Sequence, residues 1–370
     1  MLSTSEKSGG ANKSLLELLK HLDRKKIDPF VLMRRHGDIE DELKLLNIPV
    51  TIIPFINSVT TGNLIKDFAK KLSYKYVIPK IKKYYKKNRI ELVHNNSIPA
   101  LAGMEAAYEL GIPYVCHIRE DVEKGLGVNF LNKQHHLNIA NLAAKKIAIS
   151  NFVKKSYIGY LENVEVIYDG LDTNAYYEEK EILDKTPIVI SMYGNLDEQK
   201  GQLIAVKALE YLQNKGNTDF RLSIVGNQNT DYGVKVKRYV IEKQIKNIQF
   251  VETITSFEKL REHRLNDDIN LVCSNAEGLG RVTIESMLAG CLTIGASAGA
   301  TVEIINDGQN GLLFNPDDVN ELVGILLMVK NNTNEAARIA KHGQNYALAN
   351  FDVNKYVTEI SMIYRKALVS

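Results

Sequence analysis

INLVCSNAEGLGRVTIESMLAG, residues 269–290, passes from an apolar β-rich run through a glycine-rich turn into a helical pattern. INLVCSN reads as a strand and VTIESMLAG as a helix closed by Gly290, so AEGLG occupies a strand-to-helix junction. The first N–H groups of a helix lack intrahelical partners and carry the positive end of its dipole, which suits a phosphate. Glycines let such a backbone come close to a ligand. Two carboxylates flank the turn, Glu277 just ahead of it and Glu285 two helical turns later. Glu277 is placed to accept from hydroxyls, and Glu285 can face back to take a vicinal diol, because a carboxylate's two oxygens match two adjacent hydroxyls. On spacing alone they read equally well as helix decoration, one favoured by the dipole and the other solvated.

The same grammar extends outward in both directions. PIVISMYG, FRLSIVGN, NIQFVE and CLTIGA are further strands of the second half, alternating with helical patterns. The first half repeats the alternation with DPFVLMRR, VTIIPF, IELVHNN, PYVCHIR, AKKIAIS and VEVIYDG. Strands alternating with helices predict an α/β chain of two doubly wound parallel sheets, with a cleft between their carboxyl ends. The charged segment YYEEKEILDKT (176–186) separates the halves. We therefore expect a first domain over 1–175, a second over 186–347, and a C-terminal helix in 348–370 packing back on the first.

A chain of 370 residues has room for two cores. Its longest strongly apolar stretch, LVGILLMV at 322–329, is too short to span a bilayer, and MLSTSEKSGG has neither the basic start nor the apolar core of a signal peptide. Cys116, Cys273 and Cys291 are widely spaced in apolar surroundings, which argues for buried thiols in a reducing compartment. A cytoplasmic location is expected. No metal site suggests itself: Asp267-Asp268 and Asp317-Asp318 are adjacent pairs in polar contexts, and His135-His136 lacks ligand spacing.

Charge is unevenly spread. Residues 1–165 hold 26 Lys and Arg against 17 Asp and Glu, a net +9, whereas the remainder is −6. The stretch 66–89, KDFAKKLSYKYVIPKIKKYYKKNR, has ten basic residues and one acid. Its apolar positions Phe68, Leu72, Tyr76, Ile81, Tyr84 and Tyr85 recur at roughly helical spacing. It fits a basic surface for anionic lipid headgroups at the inner face of the cell membrane, or for a phosphate-bearing acceptor. It fits equally a solvated helix that packs its stripe on the sheet. No nucleic-acid-binding motif accompanies the charge.

At the start, SEKSGGANKSLLELLKHL reads as a glycine loop opening a helix, yet only MLSTSE precedes it. A doubly wound sheet places its first strand centrally. We expect that strand to be missing here and to lie upstream of residue 1.

Companion turns strengthen the reading of 274–290. MYGNLDEQKGQ (192–202) sets Gly194 at a strand end and Lys200 before a helix, where it can reach a diphosphate. IVGNQN places Gly226 at another strand end, and GASAGATVEII adds Gly299, Thr301 and Glu303. Together, EGLGRVTIE, AGATVEIINDGQNG followed by GLLF, KKIAISNFVKKSY with VEVIYDGLDTNAY, and HIRE at 117–120 resemble the retaining glycosyltransferases of family 4, which have the GT-B fold. The resemblance covers residues 8–365.

It implies that Glu277 holds donor-sugar hydroxyls, that Gly278, Leu279 and Gly280 offer amides, that Glu285 binds the ribose and that Lys200 neutralises diphosphate. It also implies that His117 lies near the reacting sugar, that Gly194 and Gly226 line the donor site and that Gly9 and Gly10 face the diphosphate and acceptor. Read without the resemblance, His117 is an ordinary partly buried histidine. Asn195 stands where the family has an arginine; it can hydrogen-bond a phosphate but not neutralise it, and Arg281 is a candidate replacement. The implied function is sugar transfer from a UDP- or GDP-linked donor to a carbohydrate or lipid-linked acceptor hydroxyl, as in bacterial surface polysaccharide or glycolipid synthesis, with no cofactor. A nucleotide-sugar epimerase and a non-catalytic partner subunit share the architecture and remain alternatives.

Overall fold

Parallel strands buried on both faces read as continuous apolar runs, and such runs build both sheets here. The computed structural model describes residues 2–3, 9–37 and 39–369. Contacts divide the chain into two units, Met1–Leu171 with Val353–Ser370, and Asp172–Asp352.

The first unit contains β1 (Leu2–Ser3), β2 (Val31–Met33), β3 (Val50–Ile52), β4 (Val93–Asn95), β5 (Tyr114–Ile118), β6 (Lys145–Ala148) and β7 (Val164–Val166). They form one parallel sheet in the order β3-β2-β1-β4-β5-β6-β7. The central place, where a missing first strand was expected, is taken by the short β1. Leu2 pairs with both Leu32 and Asn95, so a two-residue strand holds the central place. Its brevity left no apolar run for sequence reading to find. Of the glycine loop that follows, only Gly9 and Gly10 fall among the described residues.

Helix Gly10–His21 buries Leu15, Leu16, Leu18 and Leu19, packing on the C-terminal helix Val353–Leu368. That helix buries Val353, Tyr356, Val357, Ile360, Ile363, Tyr364 and Ala367, spacings of three and four that give one apolar stripe. Together with Val31, Met33 and Val115 of the sheet they form one core. The basic stretch lies in helix Leu64–Lys87, which buries Val77, Ile78, Ile81 and Tyr85 but leaves Phe68, Leu72 and Tyr76 exposed. The expected single stripe is therefore split between two faces. No helix among the described residues is long and apolar enough to cross a membrane.

The second unit contains β8 (Ile188–Tyr193), β9 (Phe220–Val225), β10 (Ile248–Val251), β11 (Ile269–Val272), β12 (Leu292–Ala296) and β13 (Leu312–Phe314), in the parallel order β10-β9-β8-β11-β12-β13. Ile188, Ile190, Met192, Leu222, Ile224, Leu271 and Ile294 anchor its core. Residues 176–186, expected to separate the domains, are packed onto this unit. Lys180 donates to the carbonyls of Arg264 and Asp267 at 2.7 and 2.6 Å, and Glu178 pairs with Arg261. The division accordingly falls at Leu171, four residues ahead of the expected end at 175.

Candidate active site

In the second unit, chain order reverses between β8 and β11, and an open α/β sheet binds ligands beyond the carboxyl ends at such a switch point. The loops that follow these two strands carry Lys200 and Glu277. Beyond β8 the chain turns at Gly194, and Gly226 follows β9 directly. Gly194 N–H donates to Val225 O at 2.9 Å, and Gly226 N–H to Val251 O at 3.0 Å. A Cβ on Gly226 would collide with the carbonyl oxygen of Gly194, so the close approach of these two turns requires glycine. Asn195 Oδ1 accepts from Asn227 N–H at 3.3 Å. At the place where the resemblance expects an arginine, this side chain therefore braces the neighbouring turn.

Asp197 caps the short helix Glu198–Lys200, and a Cβ on Gly194 would lie 3.9 Å from Lys200 Cε, so the lysine side chain runs beside the turn beyond β8. Lys200 Nζ forms an ion pair with Glu277 Oε1, joining groups 77 residues apart. Glu277 is held from behind. Ala300 N–H donates to its carbonyl at 2.9 Å, and a Cβ on Gly299 would lie 2.7 Å from Glu277 N. Leu279 is buried, while Gly280, in the left-handed region at φ 84°, precedes helix Arg281–Leu288 and points its amino end at the loop that includes Gly278.

Glu285 lies in the interior. Its side chain is only 4% exposed, Arg264 donates to Oε2 at 2.7 Å, and Arg281 Nε lies 3.6 Å from Oε1. The carboxylate is thus buried and pre-oriented, not solvated. Arg281, the candidate replacement for the arginine that position 195 lacks, lies beside this carboxylate. Burial opposes the charge on Arg264, but Glu285 holds its pKa above the ordinary guanidinium value. The Arg264 guanidinium also stacks over Tyr193, 4.6 Å from the ring centroid. Tyr193 hydrogen-bonds Asp267, which burial keeps protonated to higher pH than usual. Asp267 and Asp268 therefore belong to the interior, not to a polar surface. Arg264 escaped the sequence reading because REHR (261–264) looks like a solvated charge run; only its place just before β11 hints at burial.

In the first unit, His117 lies on β5 and is fully buried. Arg119 NH2 approaches its Nδ1 at 3.4 Å, and His94 Nε2 lies 3.1 Å from the same nitrogen. Guanidinium can only donate, so His117 Nδ1 is the acceptor, which places its proton on Nε2. His94 then donates through Nε2 and accepts at Nδ1 from Tyr364 OH at 2.6 Å. Burial, and after it the Arg119 charge, pushes both imidazoles well below the ordinary histidine range. They stay neutral, and His117 Nε2–H is a buried donor without a hydrogen-bond partner among the described residues.

Arg119 is itself fixed by Asp169 at 2.8 and 2.7 Å and by Asn96 at 3.0 Å. Ser14 donates to Asp169 at 2.6 Å, and Asn96 to Ala11 O at 3.1 Å, which ties the helix begun at Gly9 and Gly10 to this network. Glu120 is a further group that sequence reading did not single out. Ser97 donates to it at 2.5 Å, and burial pushes its carboxyl up to about 7 against the hydrogen bond and the Arg119 charge.

Comparison with known proteins places this geometry. Residues 175–346 match the model for glycosyl transferases group 1, and residues 8–175 that for glycosyltransferase family 4. An uncharacterized glycosyltransferase of Methanocaldococcus jannaschii is 24% identical over 75% of this chain and 76% of its own. The capsular polysaccharide biosynthesis glycosyltransferase CapH of Staphylococcus aureus is 21% identical over 80% of each chain. Anabaena Alr3699/HepE, solved in complex with UDP-glucose, superposes with a TM-score of 0.80 over 98% of each chain at 24% identity. With both halves matched in chain order and the whole backbone shared, the chain belongs to the glycosyltransferases of family 4 and has the GT-B fold.

Proposed function

We propose that this glycosyltransferase moves a sugar from a nucleoside diphosphate sugar to an acceptor hydroxyl with retention at the anomeric carbon. The observation that carries the reading is the Lys200–Glu277 pair at the β8/β11 switch point, beside the turns of Gly194, Gly226 and Gly280. In the unliganded protein the two charges satisfy each other. On donor binding Lys200 exchanges the carboxylate for the diphosphate, and Glu277 turns to the sugar hydroxyls. Glu285, already oriented by Arg264, is assigned the ribose diol.

As the anomeric C–O bond breaks, charge builds on the leaving diphosphate, and Lys200 with the helix amino end at Gly280 stabilises it. The acceptor oxygen bonds the anomeric carbon, and its proton passes to the departing phosphate oxygen. Neither glutamate serves as a hydrolase acid or base in this scheme. The His117 Nε2–H offers a hydrogen bond to a substrate hydroxyl oxygen. The HepE complex with UDP-glucose supports a UDP-linked donor, and the likeness to CapH supports an acceptor in surface polysaccharide synthesis.

A panel of UDP- and GDP-sugars incubated with lipid-linked and free saccharide acceptors tests the proposal, with nucleotide release and NMR of the product as readouts. One donor should give a glycoside of unchanged anomeric configuration. An inverted product, or an epimerised nucleotide sugar without transfer, contradicts it.

A further inference from the structure

Helix Leu64–Lys87 is built with two apolar faces. Its inward face is held by polar tethers in the first half, Lys70 Nζ to Val59 O at 2.7 Å and Tyr74 OH to Ile56 O at 2.6 Å. In the second half it is held by buried Val77, Ile78, Ile81 and Tyr85. Positions 70, 74, 77, 81 and 85 follow at spacings of three and four and define that side.

On the opposite side stand Leu64, Ile65, Phe68, Leu72 and Tyr76, which are 87, 82, 64, 43 and 73% exposed. They too recur at spacings of one, three and four, forming a stripe turned away from the core. Solvent-facing helix positions ordinarily carry polar groups, and five large apolar side chains in one row mark a contact surface. Two turns beyond Tyr76 the same face continues as lysine. Pro79, Lys82, Lys83, Lys86 and Lys87 line a shallow surface recess there. Lys82 is paired with Glu109, and Lys83, Lys86 and Lys87 are exposed. The helix has one acid, Asp67, which accepts from Thr61.

We infer that this outward face docks on an anionic lipid bilayer, with Leu64, Ile65, Phe68 and Leu72 entering the headgroup–acyl boundary and the lysines contacting headgroup phosphates. The apolar stripe runs along the convex surface of one helix, to which a fluid interface conforms. An apolar stripe flanked by lysines is complementary to a surface that is apolar within and anionic at its rim. The inference goes beyond the transfer reaction and stands independently of it.

Cosedimentation of the full chain with vesicles of pure phosphatidylglycerol or pure phosphatidylcholine, at low and high salt, tests it. Binding to phosphatidylglycerol that weakens with salt, and none to phosphatidylcholine, is expected. Lys83→Gln/Lys86→Gln/Lys87→Gln should lower the partition coefficient roughly a hundredfold at low salt. Phe68→Ser/Leu72→Ser should lower it at least about tenfold at either salt. These positions are exposed, so an unchanged urea-unfolding transition will confirm folding. Absence of binding to phosphatidylglycerol at low salt overturns the inference, as does binding untouched by both variants. So does a dimer in sedimentation velocity that Phe68→Ser/Leu72→Ser dissolves, because the stripe then belongs to a second copy.

Discussion

Lys200 and Glu277 neutralise each other across the switch point, and that pairing makes their substitutions distinguishable. In Glu277→Ala the lysine loses its internal competitor, so UDP affinity should hold or rise. Turnover with the sugar nucleotide should fall by about 2 kcal/mol, or thirtyfold, for one charged hydrogen bond to the sugar. Steady-state kinetics beside a UDP titration separates the two effects. Glu120 supplies a pH signature. Its folded pKa of about 7 lies above the ordinary glutamate value of 4.5, so the native state binds an extra proton between those values. Its contribution to stability is full below about pH 4.5 and is lost as pH rises through 7. The stability difference between the protein and Glu120→Gln, followed by urea denaturation from pH 5 to 8, should shift against the glutamate as pH rises. A flat difference contradicts the buried carboxyl.

Among the elements, helix Arg281–Leu288 owes its placement to the buried pair of Glu285 with Arg264. Removing one partner of a buried pair strands the other, so Arg264→Ala should destabilise by about 3–5 kcal/mol. Arg264→Ala/Glu285→Gln should lose less, because no charge is left unpaired; chemical denaturation checks both. The sequence made the strands legible because parallel strands need apolar runs, and it marked the switch-point loops because glycine, lysine and glutamate stand at strand ends. It did not disclose that Glu285 is buried, since a glutamate in a helix reads the same whether or not an arginine from another helix covers it. β1 went unseen because two residues carry no periodicity. The double-faced helix Leu64–Lys87 defeated the reading of its stripe, for apolar residues on opposite sides merge into one pattern when only spacing is counted.

At the scale of the whole chain, the last helix returns to the first unit, where Ile360 is fully buried beside Leu15 and Leu18. Ile360→Ala should cost about 2–5 kcal/mol in a denaturation experiment, yet leave nucleotide affinity in the second unit unchanged under native conditions. A parallel loss of nucleotide binding would show that the units do not divide the work as described. The two-domain plan was legible from alternation alone, but its boundary was not. Residues 176–186 look like a linker and instead supply Lys180, which bonds two carbonyls of the second unit.

The central claim, that Lys200 and its neighbouring turns form the nucleotide end of a donor site, is tested most directly by calorimetric titration of UDP and GDP into the intact protein and Lys200→Ala. At least one nucleotide should bind the intact protein, with Kd raised about 10- to 100-fold in the variant by loss of a charged phosphate contact. Failure of both nucleotides to bind, or equal affinity in the two proteins, would contradict it.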